Sequence, residues 1–184
     1  MLTREKILRS LTRLGEELSK EGMSGEILLT GGAAMCLVHS ARDMTKDVDA
    51  LYEPKEEINR MVKKIAEQEG LPEDWLNDSV KGFVTAGAPI DEFMILNGLK
   101  VTVVTPEYLL SMKLMSARYG EKDAEDIRFL MDKLQIKTVD QAYSILTSFY
   151  PANRVLPKTM YVIQEYIDEL RGYEQGQGYR PSEL

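Results

Sequence analysis

Two aspartates that lie two residues apart, at the start of an apolar segment, are the side chains in this sequence best suited to bind a metal ion. They are Asp47 and Asp49, and the apolar run Ala50-Leu51-Tyr52 follows them. Side chains two apart on a β-strand point to the same face, so the spacing predicts that both carboxylates reach one ion. Hard oxygen ligands favour Mg²⁺ or Mn²⁺ over zinc.

A glycine pair precedes these acids. Gly31 and Gly32 follow the apolar run Ile27-Leu28-Leu29, and Asp47 lies fifteen residues after Gly32. The pattern predicts a strand, a tight turn and a short helix, where open backbone N–H groups can hold a polyphosphate. Paired glycines alone occur in many turns. In combination with the acids they predict a site for a metal-bound nucleoside triphosphate, against the alternative of a tight turn beside two solvated acids.

Three charged residues further along the chain are predicted to lie on the apolar faces of helices. At 100° per residue, Lys113 projects within the stripe of Leu109, Leu110, Leu114 and Ala117. Asp123 projects close to the centre of the next apolar stripe, and Asp126 lies at its edge. Charges that face a core are costly unless they are paired or line a cleft. Two interpretations stay open: Lys113 contacts a triphosphate, or it belongs to a buried ion pair between helices.

The elements that must position these residues predict an α+β fold: a small mixed β-sheet with flanking helices and a helical C-terminal half. The predicted order is helix, strand, helix, strand, helix, hairpin, then four helices. Asn97-Gly98 between two apolar runs predicts a type I′ hairpin turn. We expect a motif-bearing domain over 1–134 and a helical extension over 135–184, with a polar tail from about residue 172.

The composition of the chain argues against several classes of protein. The chain has 184 residues and a formal net charge of -7, which argues against broad nucleic-acid binding. One cysteine excludes an intrachain disulfide and a cysteine-rich zinc site. The first twenty residues alternate charged and apolar side chains as an amphipathic helix does, and no apolar run approaches the roughly 20 residues of a membrane span. We expect a cytoplasmic protein.

These residues resemble motifs of the nucleotidyltransferase superfamily that shares the DNA polymerase β palm fold, over about residues 27–134. The branch they resemble most is the bacterial minimal nucleotidyltransferases, including relatives of the AbiEii toxins of toxin–antitoxin pairs. Arg42-x-x-Thr45-x-Asp47-Val48-Asp49 is similar to a first block of that branch. Lys113-Leu114-Met115-Ser116-Ala117-Arg118 with Lys122-Asp123-x-x-Asp126-Ile127 is similar to a second block, and Glu73-Asp74-Trp75-Leu76-Asn77 resembles a recurring segment of an uncharacterised branch.

The resemblance implies transfer of a nucleotide from a nucleoside triphosphate to a hydroxyl of RNA, protein or a small molecule, with pyrophosphate leaving. Asp47 and Asp49 would bind the metal, and Lys113, Asp123 and Asp126 would be further catalytic residues. Nucleotide-binding residues would be Gly31, Gly32, Arg42, Thr45 and Lys46. A toxin role would add an antitoxin protein as partner.

One departure from the superfamily pattern concerns a third carboxylate. Many members supply it from a neighbouring strand, yet the segment Lys100–Val104 has none, and Glu92 is poorly placed to replace it. Either Asp123 or Asp126 fills this position, or metal binding is impaired. The alternative function is therefore an inactive module of the same fold that binds a nucleotide or a protein partner.

Overall fold

The computed structural model describes residues 1–116 and 121–174, without the side chains of residues 121, 122, 173 and 174. The chain forms two compact units, Met1–Thr105 and Pro106–Leu184. The motif-based division after residue 134 stays a prediction. The sequence also predicts that Gly120 ends a helix; this residue, the motif residues Ala117 and Arg118, and most of the predicted polar tail lie outside the described residues.

The first unit is built on a mixed sheet. Its strands are β1 (Leu2–Thr3), β2 (Gly25–Leu29), β3 (Met44–Thr45), β4 (Val48–Glu53), β5 (Leu76–Asn77), β6 (Ile90–Leu96) and β7 (Leu99–Val104). Five strands form one sheet in the order β5-β4-β2-β7-β6, and β1 pairs with β3 separately. In this sheet β2 runs antiparallel to β4 and parallel to β7. The predicted small mixed sheet is confirmed.

Helices complete the first unit: α1 (Arg4–Lys20), α2 (Gly31–Leu37), α3 (Lys55–Glu69) and a 3-10 turn at Ser79–Gly82. The apolar spacing of α1 fully buries Ile7, Leu11, Leu14 and Leu18, and α1 packs against α3 and β7. Thr3 caps α1 by accepting a hydrogen bond from the Lys6 N–H at 3.3 Å. This apolar layer supports the central strands that position the site.

The β6–β7 hairpin has the predicted place but a different turn. Type I′ requires a positive φ at both central residues; Gly98 has a φ of +73°, whereas Asn97 is not among the residues with positive φ. The predicted type I′ turn is therefore wrong. The turn instead contacts both β2 and α1: the N–H of Gly25 in β2 donates to the Gly98 carbonyl at 2.9 Å, and a Cβ on Gly15 of α1 would collide with the Asn97 carbonyl oxygen.

Where the structure describes it, the second unit consists of helices, as predicted for the C-terminal half. They are α4 (Pro106–Ser116), α5 (Glu121–Lys133), α6 (Val139–Phe149) and α7 (Pro157–Glu174), with a 3-10 turn at Ala152–Arg154. α4 packs against the other three helices, and its buried Tyr108 meets the Phe149 ring edge-on at 5.1 Å between centroids. In the described part of the chain, no helix combines the length and apolar character that crossing a bilayer requires.

We expect Gly15→Ala to lower the free energy of unfolding by about 1–3 kcal/mol, because the added methyl group meets a backbone oxygen that cannot move freely. Gly172→Ala is the matched control, since it is also helical and a Cβ added there would have no neighbour within 4 Å. That change is expected to stabilise by about 0.5–1 kcal/mol through helix propensity. Urea unfolding measures both, and equal effects would contradict the close approach of α1 to the hairpin.

Glu17 gives a pH-dependent contribution to stability. Its carboxylate lies 2.7 Å from the Lys20 ammonium and also pairs with Lys64, and these hydrogen bonds lower its pKa from 4.5 to about 2. Since the folded pKa is depressed, the stabilisation is complete above pH 4.5 and is lost as the pH falls towards 2. The melting temperature of Glu17→Gln should lie below that of the wild type at pH 7, and the difference should shrink across this window. A constant difference would contradict the ion pairing.

Candidate active site

The glycine turn lies directly against the acidic pair. Where β2 ends, the Thr30 N–H donates to the Asp49 carbonyl at 3.0 Å, and the buried Thr30 hydroxyl lies 3.3 Å from the same oxygen. Gly31 follows with a φ of +55°, and a Cβ at this position would lie 2.9 Å from Asp49 Oδ2. Glycine is required here both by the backbone conformation and by the carboxylate beside it.

Gly32 lies beneath Arg42 and Thr45. A Cβ on Gly32 would lie 2.5 Å from Thr45 Oγ1 and 3.3 Å from Arg42 Nη1. Thr45 is buried at 5% exposure, because β3 pairs with β1 in the register Leu2↔Thr45. The structure therefore brings a hydroxyl and a guanidinium to the glycine turn, two groups that donate hydrogen bonds to phosphate oxygens.

The two aspartates lie next to one another. Asp49 is the second residue of β4, and Asp47 directly precedes that strand. Burial, and then the negative charge of Asp49, raise the pKa of Asp47; the exposed Lys46 and a hydrogen bond from Asn77 act in the opposite direction. Two partly desolvated carboxylates that repel each other form a site that a divalent cation stabilises.

In the described part of the chain, no three His, Cys, Asp or Glu side chains are grouped to hold an ion, although the charge of Asp74 also raises the pKa of Asp47. Glu92 pairs with Thr102 in the sheet, and its strand lies three positions from β4, about 14 Å away at the usual strand spacing. Mg²⁺ is commonly held by one or two carboxylates together with substrate phosphates and waters. The donor set of Asp47 and Asp49 therefore fits Mg²⁺ bound with a triphosphate.

Two polar residues that the sequence did not assign contact the acidic pair. β5 pairs in parallel with β4 in the register Asp49↔Asn77, which places Asn77 and Ser79 beside the carboxylates. Ser79 Oγ lies 3.0 Å from Asp49 Oδ1, and the Asn77 side chain hydrogen-bonds Asp47. The only sequence signal was the segment that ends at Asn77, because a strand of two residues shows no periodicity.

The three inward-facing charges of the second unit pair with one another. Lys113 Nζ lies 2.8 Å from Asp123 Oδ1 and 2.8 Å from Asp126 Oδ2. The side chains of Lys113 and Asp126 are 12% and 4% exposed, and that of Asp123 is 33% exposed. The ammonium is therefore held between two carboxylates on successive turns of α5. Any catalytic role of this cluster stays a prediction.

Comparison with known proteins assigns the chain to a family. The model of a family described as a nucleotidyltransferase of unknown function (DUF6036) matches residues 6–171. No curated protein and no solved structure matches the chain. The match begins in α1 and ends in α7, so it includes the glycine turn, the acidic pair and the Lys113 cluster. The resemblance to the nucleotidyltransferase superfamily is confirmed, and the chain belongs to the nucleotidyltransferase family DUF6036.

Proposed function

We propose that this family member is a metal-dependent enzyme that transfers a nucleotide from a nucleoside triphosphate to a hydroxyl. The observation that supports the proposal most directly is the contact between the Gly31 turn and the Asp49 carboxylate. It sets open backbone beside the residues best suited to bind a metal ion, with Arg42 and Thr45 over the next glycine. A metal-bound triphosphate needs these three kinds of group together.

In the proposed reaction, the acceptor oxygen bonds to the α-phosphorus, its proton is lost to water and pyrophosphate leaves. Mg²⁺ or Mn²⁺ on Asp47 and Asp49 would neutralise developing negative charge and activate the attacking hydroxyl. Gly31 and Gly32 let the backbone approach the Asp49 carboxylate and the Thr45 hydroxyl closely, which would bring its N–H groups near the phosphate oxygens. The Arg42 guanidinium offers forked donors that match phosphate geometry, and Lys46 adds positive charge at the border of the site.

Lys113 is proposed to contact the triphosphate as a point charge, with Asp123 and Asp126 holding its ammonium in one orientation. The short distances to both carboxylates support the holding role. A lysine fixed in this way has lost its rotamer freedom before it meets a ligand, which lowers the entropic cost of binding.

The second candidate is an inactive module of the same fold that binds a nucleotide without turnover. The observation in its favour is that the described residues supply two carboxylates grouped to hold an ion and no third.

Under the first proposal the acceptor is RNA, a protein or a small molecule. The toxin role and the antitoxin partner depend on the resemblance alone and stay predictions.

Asp49→Asn tests the proposed chemistry. The protein is incubated with each labelled nucleoside triphosphate, Mg²⁺, and total RNA, candidate proteins or small-molecule hydroxyls. We expect metal-dependent transfer by the wild type and a loss of at least about 100-fold in the variant, because the lost charge weakens metal binding. Asp91→Asn, at an exposed position of β6, is the control that changes charge equally and should keep its activity.

Two outcomes of this experiment would contradict the enzymatic proposal. The absence of transfer in every combination, together with a melting temperature unchanged by triphosphate and Mg²⁺, would exclude a nucleotide site altogether. Stabilisation by nucleotide that survives Asp49→Asn, with no turnover in either form, would favour the binding module.

Substitution of the Lys113 cluster separates its structural role from its catalytic one. Lys113→Met should destabilise the protein by about 3 kcal/mol, because it leaves the Asp126 carboxylate buried without its cation. The triple variant Lys113→Met/Asp123→Asn/Asp126→Asn removes the buried charges and should recover most of that stability in urea unfolding. It should still fail to transfer nucleotides. A stable triple variant with wild-type transfer rates would show that the cluster is structural only.

A further inference from the structure

We infer that Asn77 and Ser79 are positioning residues that fix the orientation of the Asp47 and Asp49 carboxylates for the metal ion. This inference rests on the proposed function and identifies the groups that let two carboxylates act as a defined site. Mg²⁺ demands near-ideal octahedral geometry at about 2.0–2.1 Å. A carboxylate that rotates freely meets this demand only part of the time, and each partner that restricts its rotation raises the affinity of the site.

The two oxygens of Asp49 have different neighbours. Oδ1 lies 3.0 Å from the Ser79 hydroxyl, while Oδ2 points towards the glycine turn, 2.9 Å from where a Cβ of Gly31 would be. The single Ser79 hydroxyl proton is shared between Asp49 Oδ1 and Asn77 Oδ1, and the hydrogen bond to Asp49 restricts the rotation of its carboxylate. Ser79 therefore directs the other oxygen of Asp49 to the side where we propose that the phosphates bind.

Asn77 connects the two carboxylates. Its Oδ1 accepts from the Ser79 N–H at 3.1 Å and lies 2.5 Å from the Ser79 hydroxyl, which orients the amide so that its Nδ2 faces the opposite way. On that side the amide hydrogen-bonds the Asp47 side chain and lies 3.4 Å from the Asp74 carbonyl. One amide and one hydroxyl thus link Asp47 to Asp49 across the edge of the sheet.

The segment that presents Asn77 and Ser79 is itself held firmly. Trp75 is fully buried, its indole N–H donates to the Val62 carbonyl at 3.2 Å, and its own carbonyl accepts from the Val48 N–H at 2.7 Å. Asp78, between the two positioning residues, forms an ion pair with Lys55 at the start of α3. Contacts on both sides of the segment therefore restrict its motion, and with it the motion of the two side chains that bond the carboxylates.

Both positioning residues are neutral, and this fits their role. A lysine or arginine at the same distance would orient the carboxylates but would also compensate the charge that attracts the cation. The hydroxyl and the amide orient the acids and leave their negative charge available. The Lys113 cluster shows the opposite arrangement, since its two carboxylates share an ammonium.

Ser79→Ala tests the inference through direct metal binding. The affinity for Mn²⁺ is measured by electron paramagnetic resonance, in the presence of a non-hydrolysable triphosphate analogue, for the full chain. We expect an approximately tenfold weaker affinity in the variant, the lower end of the effect of outer hydrogen-bond partners on metal sites. The melting temperature without metal should stay within about 2 °C of the wild type, because Ser79 is exposed.

Ser79→Thr keeps the hydroxyl and should restore the affinity, which a merely structural role of the side chain would not require. Ser148→Ala, an exposed serine of α6 bonded to its own helix, should bind Mn²⁺ like the wild type. Wild-type affinity in Ser79→Ala would overturn the inference and leave the proposed function standing. A wild-type protein that binds no Mn²⁺ with the analogue would overturn the proposed function, and the inference with it.

Discussion

The backbone pairing between β2 and β4 is the constraint on which the candidate site depends. It continues one residue past the strand, where the Thr30 N–H donates to the Asp49 carbonyl, so the glycine turn and the acidic pair meet at one end of two hydrogen-bonded strands. Gly31 then approaches Asp49 so closely that a side chain would not fit. A change that loosened this pairing would separate the residues proposed to bind phosphate from those proposed to bind metal.

Two pairs of aspartates in this chain have different electrostatic surroundings. Asp47 and Asp49 lie together at the start of β4, and burial and then the charge of Asp49 raise the pKa of Asp47 against the opposing charge of Lys46. Asp123 and Asp126 instead enclose the Lys113 ammonium at 2.8 Å each. Repulsion between the two carboxylates of the pair is relieved when a cation binds, whereas the Lys113 cluster already contains its own cation. This contrast is why the acidic pair, more than the cluster, is the proposed metal site.

Local spacing predicted much of the fold. The predicted order of helix, strand, helix, strand, helix, hairpin and four helices is the order of the longer elements in the described residues. The two-residue strands β1, β3 and β5 were not predicted, because they are too short to show the alternation of apolar and polar residues that marks a strand. The turn at Asn97-Gly98 was assigned the wrong type because the turn contacts α1 and the Gly25 N–H. Both partners are distant in sequence, so the dipeptide alone does not reveal these contacts.

The sequence by itself determined the chemistry available at the site: two carboxylates two residues apart, a glycine pair, and an arginine and a threonine within the same motif. These are local patterns, which short-range spacing along the chain is enough to reveal. Only the tertiary structure decided which neutral groups hold those acids. Asn77 and Ser79 lie about 30 residues further along the chain, and they reach the acids because β5 pairs with β4 in one particular register. That register is selected by interactions between residues that are distant in sequence.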